Sequence, residues 1–477
     1  MRALFMRALF LRRLMRGPAI VAITASVMTA LLAAGPGGPG AAAAVRHDGT
    51  GQRGLVPGSR LFVPPPSDGA PQQIAHLLTS GHVADAVRIA EMEAVPRAVW
   101  FTGGTPAQVL AQVRQTMAEA RAERAVPVLV AYDIPGRDCA QYSAGGALSQ
   151  ADYEAWISAF AQGIGGRPAA VILEPDALGN MPSGCGLPAS VYPFTDSERI
   201  AELQDAVGAL EQDPRTAVYL DGTHSAWQSV GTITQRLLEA DVTSAQGFFL
   251  DVSNYQPTAE LADYGSWISD CIAMVTDPSN ALFNNPSACA SQYFPATQSD
   301  FSTWGLTTAW YAQNMGSAVA STHYVIDTSR NGQGPNNMQA YASAPFDQPA
   351  SVIGTLASGN WCNPPGSGLG LRPTTSTGVP LLDAYLWVKT PGQSDGQCDA
   401  AGGVRAWDYA DYNQPGWPTT AADQALFDPL WGTDDPAAGA WFGQQALQLA
   451  QDASPSLPPL FGPAARHLLA RAARRPT

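Results

Sequence analysis

The sequence predicts an α/β fold in one large domain. Three observations carry that reading: seven apolar runs with the composition of buried strands, helical patterns between them, and a carboxylate where most runs end. The runs are RAVWFT (97–102), VPVLVAYD (126–133), AAVILEP (169–175), AVYLD (217–221), GFFLDVS (247–253), HYVIDTS (323–329) and DAYLWVK (383–389). Several are continuously hydrophobic, as a parallel strand covered on both faces requires. Between them, Thr105 and Pro106 supply an N-cap and a first-turn residue ahead of Val109, Val113 and Met117 on one helical face. Ser149 is placed to cap the next helix, in which Tyr153, Trp156, Ile157, Phe160 and Ile164 share a face and glycines stop the turn. Asp196 stands ahead of Ile200, Leu203, Val207 and Leu210 in the same manner. Strand then helix, repeated, is the α/β pattern.

The strand endings hold more than the strands. Asp133, Asp176, Asp221, Asp251 and Asp327 sit at or just past the C-terminal ends of runs, and Lys389 does likewise. One aspartate there is ordinarily a helix N-cap. Five in series point to the face of an α/β barrel where strand C-termini converge and active sites lie. The expectation is a shared cleft lined by these carboxylates. Glu174, two residues before Asp176, is expected to face the other side of the pleat and to pair with a base or cap a helix.

The chain ends read differently. Five arginines (Arg2, Arg7, Arg12, Arg13, Arg16) precede an uncharged run, IVAITASVMTALLAA (20–34), and then GAAAA (40–44). That order of basic, apolar and small segments is a secretory signal peptide over residues 1–44, with Sec export and, through Arg12 and Arg13, twin-arginine export both open. Residues 45–58 read as a short linker, 59–454 as the domain and 455–477 as a flexible basic tail. Removing the leader, which holds five arginines and no acid, takes the formal charge from −14 to −19. Nucleic acid is a poor partner for such a surface. No later segment reads as a membrane span, so an exported, released monomer is expected.

Six cysteines, Cys139, Cys185, Cys271, Cys289, Cys362 and Cys398, follow the leader. An even count in an exported chain suggests disulfides, and no pair has the C-x-x-C spacing of a zinc or redox site. Fifteen pairings are open. Neighbours along the sequence are favoured: 139 with 185, 271 with 289 and 362 with 398.

YDIPGRDCAQYSAGGA (132–147) and VILEPDALGN (171–180) together resemble the two signatures of glycoside hydrolase family 6, whose members cleave the β-1,4 links of cellulose. The resemblance continues through YLDGTHSAW (219–227), DVSNY (251–255), VIDTSRNG (325–332), NWCNPPG (360–366) and LWVKTPGQSDG (386–396). It covers roughly residues 59–450, with the motifs in family order. It implies a distorted, TIM-like barrel of seven parallel strands carrying a single catalytic domain, matching the count of runs. It also implies cleavage with inversion, which needs an acid and a base roughly 6.5–9.5 Å apart and no metal or organic cofactor.

Residue by residue, the resemblance makes Asp176 the general acid, whose proton must be held near neutral pH by burial or a neighbouring negative charge. Asp138 is the candidate for that neighbour, Asp221 an electrostatic support, and Asp395 the match to the family's proposed base, although the family is thought to pass the proton along water. Trp100, Trp227 and Trp361 match positions that stack on glucosyl rings, whose faces present C–H. Tyr132 resembles the tyrosine under the distorted sugar, Asn254 and Lys389 match hydroxyl-binding positions, and His224 either touches substrate or supports Asp221. Trp387, inside a strand, reads as core. Two departures stand out: Ala144, beside Ser143, occupies a place where many members have serine, and Gln393 one where many have glutamate.

Other classes fare worse. No G-x-S-x-G elbow offers an activated serine, and the histidines are scattered without ligand spacing. A secreted carbohydrate-binding protein without turnover is the rival from another class. Within the family, internal (endo) cutting is favoured over a cellobiohydrolase by the short spacing from Cys362 to Cys398, while the long segment 400–436 leaves a roofing loop open. The expected partner is a β-1,4-glucan or cello-oligosaccharide.

Overall fold

The computed structural model describes residues 55–398, 405–457 and 459. The expected leader (1–44), most of the expected linker and nearly all of the expected tail lie outside the described residues. In chain order the elements are α1 (Ala70–Thr79), α2 (Val83–Glu93), β1 (Val99–Phe101), α3 (Pro106–Glu123), β2 (Val128–Ala131), α4 (Gln150–Ile164), β3 (Ala169–Leu173), α5 (Asp196–Leu210), β4 (Thr216–Asp221), α6 (Val230–Glu239), β5 (Gly247–Leu250), α7 (Thr258–Thr276), α8 (Gly305–Asn314), β6 (His323–Asp327), α9 (Ala350–Ser358), β7 (Leu382–Leu386), α10 (Ala421–Gln424), β8 (Phe427–Asp428), β9 (Thr433–Asp434) and α11 (Gly443–Gln451). Short 3₁₀ turns, such as Met338–Ala342, lie between some of them.

All seven expected runs are strands, paired parallel in sequence order from β1 to β7. The sheet curls into a distorted barrel whose two edges meet without a ladder among the described residues. The Ala98 N–H donates to Trp387 O at 2.9 Å, and the Trp100 indole donates to Val388 O at 2.8 Å. Strand side chains alternate between two cores, as a pleat of period two demands. Val128, Val130, Ala170, Ile172, Ala384 and Leu386 fill the interior. Leu129, Ala131, Val171 and Leu173 face outward into the layer formed with the helices.

The helices begin where local chemistry says they should. Thr105 closes a capping box with Gln108 ahead of Pro106, and Ser149 accepts from the Asp152 N–H. Before α5 the cap is Thr195, in a capping box with Glu198, and Asp196 is the first helical residue instead of the cap. A hydroxyl followed three residues later by glutamate satisfies two orphan N–H groups at once, which Asp196 in the first turn cannot. Leu55, inside the stretch expected as linker, packs in the barrel interior because an apolar side chain there completes the core. Trp387 is core, 1% exposed.

The three disulfides are Cys139–Cys185, Cys271–Cys289 and Cys362–Cys398. The segment after the third, from residue 405, folds against α9. Trp407 packs with Met338, Val352, Ile353 and Leu356, with Tyr341, Phe346, Tyr412 and Trp417 around them. These rings meet largely edge to face, so they partly bury one another.

Candidate active site

A cavity of about 510 Å³ opens over the C-terminal ends of the strands, the face that parallel topology reserves for loops. Its lining includes ten of the eleven site residues expected from sequence: Trp100, Tyr132, Asp138, Asp176, His224, Trp227, Asn254, Trp361, Lys389 and Asp395. Asp221 is the exception. It lies beneath the loop that carries Asp176, accepting the N–H groups of Leu178 (3.1 Å) and Gly179 (2.9 Å) on one oxygen and of Thr223 (2.9 Å) on the other.

The loops are held in conformations that the sequence pays little heed to. Asp138, Cys139 and Ala140 are consecutive left-handed residues, and Glu174 and Asp176 are left-handed on either side of Pro175. Such backbone persists only where its surroundings over-determine it. Here Cys139 is bonded to Cys185, and the buried Arg199 of α5 donates to Pro135 O (2.9 Å) and Ala177 O (3.1 Å), pinning both loops. Gly179 has no room for a Cβ, which would stand 2.3 Å from the Trp227 ring.

The three cleft carboxyls have opposed electrostatics. Burial, then the negative charges of Asp221, Asp138 and Asp395, hold the Asp176 proton well above the usual carboxylate range against the pull of Lys389. Burial pushes Asp138 up to about 6, opposed by the Ser143 N–H, 2.6 Å away, and by Arg137. Burial alone would raise Asp395 too. It is instead held down at about 2 by Arg330 and Lys389, at 2.7 and 3.0 Å, and by the Asn363 N–H at 3.0 Å. The cavity therefore sets Asp176, whose surroundings favour its proton, opposite an ionised Asp395.

Around these groups stand the aromatic side chains. Trp100 meets Tyr132 edge to face with ring centres 5.4 Å apart, and Arg137 lies 4.6 Å over the Tyr132 ring. His224 is lowered to about 4 by burial, and its Nδ1 faces the Ala226 N–H at 3.2 Å, so its imidazole is neutral. Trp227 lies beside it, with ring centres 5.6 Å apart. Trp361 faces Tyr142 across the loops, 5.9 Å between ring centres. The Lys389 ammonium is occupied by Asp395 and by Ser394 O at 3.0 Å, so it orients the carboxylate at the cavity wall.

The other strand-end carboxylates do not line the cavity. Glu174 neither pairs with a base nor caps a helix: it accepts the N–H groups of Asp133 and Ile134 at 2.9–3.1 Å, joining the end of β3 to the end of β2. Asp327 accepts from Val388 and Lys389 (3.0 and 2.9 Å) beyond β7, and from Ser253 (3.3 Å) beyond β5. Asp251 accepts from Gln256 at 3.1 Å. Where parallel strands splay at the barrel mouth their N–H groups lose ladder partners, and a buried N–H needs an acceptor. Asp133 contributes its backbone oxygen to Ala147 at 2.8 Å, and its side chain stays outside the cavity.

Four residues not expected from sequence complete the site. Arg330 and Tyr255 both reach Asp395, and Arg330 also donates to Ser253 O. Ser143 donates its hydroxyl to the Asp395 main-chain oxygen at 3.4 Å. Asn363 donates its own N–H to Asp395 and accepts the Asp395 N–H at 2.9 Å. Arg330 had a visible signal, a lone arginine in the otherwise uncharged tail of VIDTSRNG. Asn363 had none beyond lying in NWCNPPG.

A family model described as "Glycosyl hydrolases family 6" matches residues 56–453. The chain belongs to glycosyl hydrolase family 6. It is 37% identical to endoglucanase 1 of Streptomyces halstedii over 283 residues, 59% of this chain and 65% of that protein. It is 28% identical to 1,4-β-D-glucan cellobiohydrolase C of Emericella nidulans over 424 residues, 84% of this chain and 78% of that protein. Among solved structures, an endoglucanase from Mycobacterium tuberculosis in complex with a thio-linked methyl cellobiosyl-cellobioside is similar at 31% identity and a TM-score of 0.54, covering 83% of this chain and 97% of that one. The chain spans 53% and 65% of the length of two curated bacterial endoglucanases that it matches. In this family 6 chain the two departures fall differently. Ser143 brings a hydroxyl to the cleft where Ala144 has none, whereas Gln393 lies outside the cavity, bridged to Trp441.

Proposed function

We propose that this family 6 chain is a secreted glucanase that hydrolyses β-1,4-glucosidic bonds of cellulose or related β-glucans by internal cuts, with inversion at the anomeric carbon. The observation that carries the proposal is that Asp176 and Asp395 line one cavity in opposite surroundings, the first among other carboxylates and the second held by Arg330 and Lys389. Inversion needs such a pair: an acid that protonates the departing oxygen, and a negative group on the water side. Asp176 is the acid, and Asp138 and Asp221 raise or secure its proton. The charge of Asp395 is so stabilised by Arg330 and Lys389 that it is a weak base. The attacking water is therefore best placed beside the Ser143 hydroxyl and the Asp395 main-chain oxygen, touching both, with its proton leaving along water.

Half-buried Trp100, Trp227 and Trp361 supply apolar faces for glucosyl rings, and Asn254 supplies hydrogen bonds at the rim. Secretion is supported by the leader-like N-terminus and the three disulfides. Internal cutting is supported by the long segment after Cys398: none of its described residues, 405–436, lines the cavity, and Trp407, Tyr412 and Trp417 cluster with α9 instead.

The test is viscosity loss against reducing-end release on carboxymethylcellulose. A fast fall in viscosity with few ends released is expected. Slow viscosity loss with cellobiose accumulating from unsubstituted glucan would make the chain a cellobiohydrolase, and binding without turnover on every glucan would make it a carbohydrate-binding protein.

A further inference from the structure

We propose that Asp435, on the segment that follows the third disulfide, is a positioning residue for Asp395, acting through Asn363. Asp395 matters here through the hydrolytic role proposed above. Asn363 is the joint. Its side-chain amide donates to Gly396 O (3.0 Å) and Ser394 Oγ (2.9 Å), and its side-chain oxygen accepts the Asp395 N–H (2.9 Å). The residues on both sides of Asp395 are thus tied to one amide, while the Asn363 main-chain N–H holds the carboxylate itself. Asn363 does this from a left-handed backbone, φ 42°, a conformation that needs support from outside.

The support comes from the 405–436 segment. Asp435 Oδ2 accepts from the Asn363 amide at 2.8 Å, and the Trp431 indole donates to Asn363 O at 2.6 Å. Asp435 follows the β8–β9 hairpin, which sets it beside Asp428. The Asp435 side chain is hydrogen-bonded to Asp428, and Arg405 pairs with Asp428 at 2.9 Å. All three are buried. Two buried carboxyls side by side, only one of them paired with a guanidinium, do not both ionise readily. Burial, then the charge of Asp428, pushes Asp435 up to about 8, so Asp435 is the neutral partner near pH 7. Tyr341 and Tyr409 are the other titratable groups facing the pair, and both are raised by burial and stay neutral there. The segment whose length posed the choice between a lid and surface decoration does a third thing: it braces the floor behind Asp395.

Three measurements test this. Asp435→Ala should lower kcat about tenfold with KM within about twofold, as a small misplacement of a reacting group does. Asp435→Asn should recover most of that loss, because an amide offers Asn363 the same acceptor and Asp428 a donor. The second readout is the pH profile of kcat. As pH rises through about 8, Asp435 ionises beside Asp428, so the wild-type alkaline limb should move up in Asp435→Asn. Asp176 loses its proton in both proteins, so the difference between the profiles isolates Asp435. Third, the Asn363 side-chain amide resonance should titrate near pH 8 in the wild type and not in Asp435→Asn.

A folded Asp435→Ala that melts lower but keeps the wild-type kcat and pH profile would overturn the proposal. If that variant does not fold, an unmoved alkaline limb in Asp435→Asn overturns it instead. A wild type that cuts no glucan would sink the proposed function, and the Asn363 amide titration would then judge the positioning by itself.

Discussion

Two sets of carboxylates crowd the mouth of this barrel, and they differ in what they face. Glu174, Asp221, Asp251 and Asp327 accept backbone N–H groups, several of them from a neighbouring strand end. Asp138, Asp176 and Asp395 face the cavity. Glu174 and Asp176 make the contrast sharpest, because only Pro175 separates them. One stitches β3 to β2, and the other keeps a proton over the cleft. A carboxyl at nearly the same height on a strand is structural when it is turned to orphan N–H groups away from the cavity, and free for chemistry when it lines the cavity.

The division can be broken by substitution, and the largest effect should come from the cleft. Asp176→Ala should cost about 10²- to 10⁴-fold in hydrolysis and leave cello-oligosaccharide binding, measured by calorimetry, within a few-fold. An unchanged rate would remove Asp176 from the acid's place. Asp221→Ala should straddle the two sets. It strands three N–H groups, so stability should fall by about 1–3 kcal/mol in a denaturant titration. The rate should fall with it, because Leu178 and Gly179 belong to the Asp176 loop. A loss of rate with no loss of stability would move Asp221 into the cleft set.

Glu174 offers a test in pH. Burial outweighs its N–H bonds and raises it from 4.5 to about 8. A carboxyl whose folded pKa is raised contributes stability that is complete below its unfolded value and disappears as pH rises through the folded one. The melting temperature should therefore decline from about pH 4.5 to about 8 more steeply in the wild type than in Glu174→Gln, and the two curves should run parallel above that. Curves parallel throughout would place the ionised form in the stitch. The smallest effect should be Trp361→Ala, a rise in KM of about three- to tenfold from the loss of one stacking face, with kcat little changed.

Much of this was legible in the chain. All seven strands follow from composition and order, because a continuously apolar run bounded by turns has few alternatives, and the three disulfides are the favoured one of fifteen possible pairings. The sorting of the strand-end aspartates was not legible. Sequence gives their height on the barrel, while the nearest unpaired N–H belongs to a strand tens of residues away, as with Asp327 and Lys389. Arg330 and Asn363 escaped for the same reason, since each acts on Asp395 across a long stretch of chain. Thr195 was missed on a local matter, where the capping box outweighed an aspartate one residue on.

The seam between β1 and β7 has a thermodynamic consequence. Six ladders, the last with a bulge between Tyr324 and Val325, join the seven strands, whereas among the described residues Ala98 and the Trp100 indole are what reaches across the seam. The two lips of that slit carry Trp100 and Lys389, which line the same cavity. Under the proposed function, a glucan lying over both would be a seventh fastening for the ring. Its binding energy and the closure of the ring then become one quantity, and at a hundred times its Kd such a ligand would add about 2.7 kcal/mol to the stability of the fold.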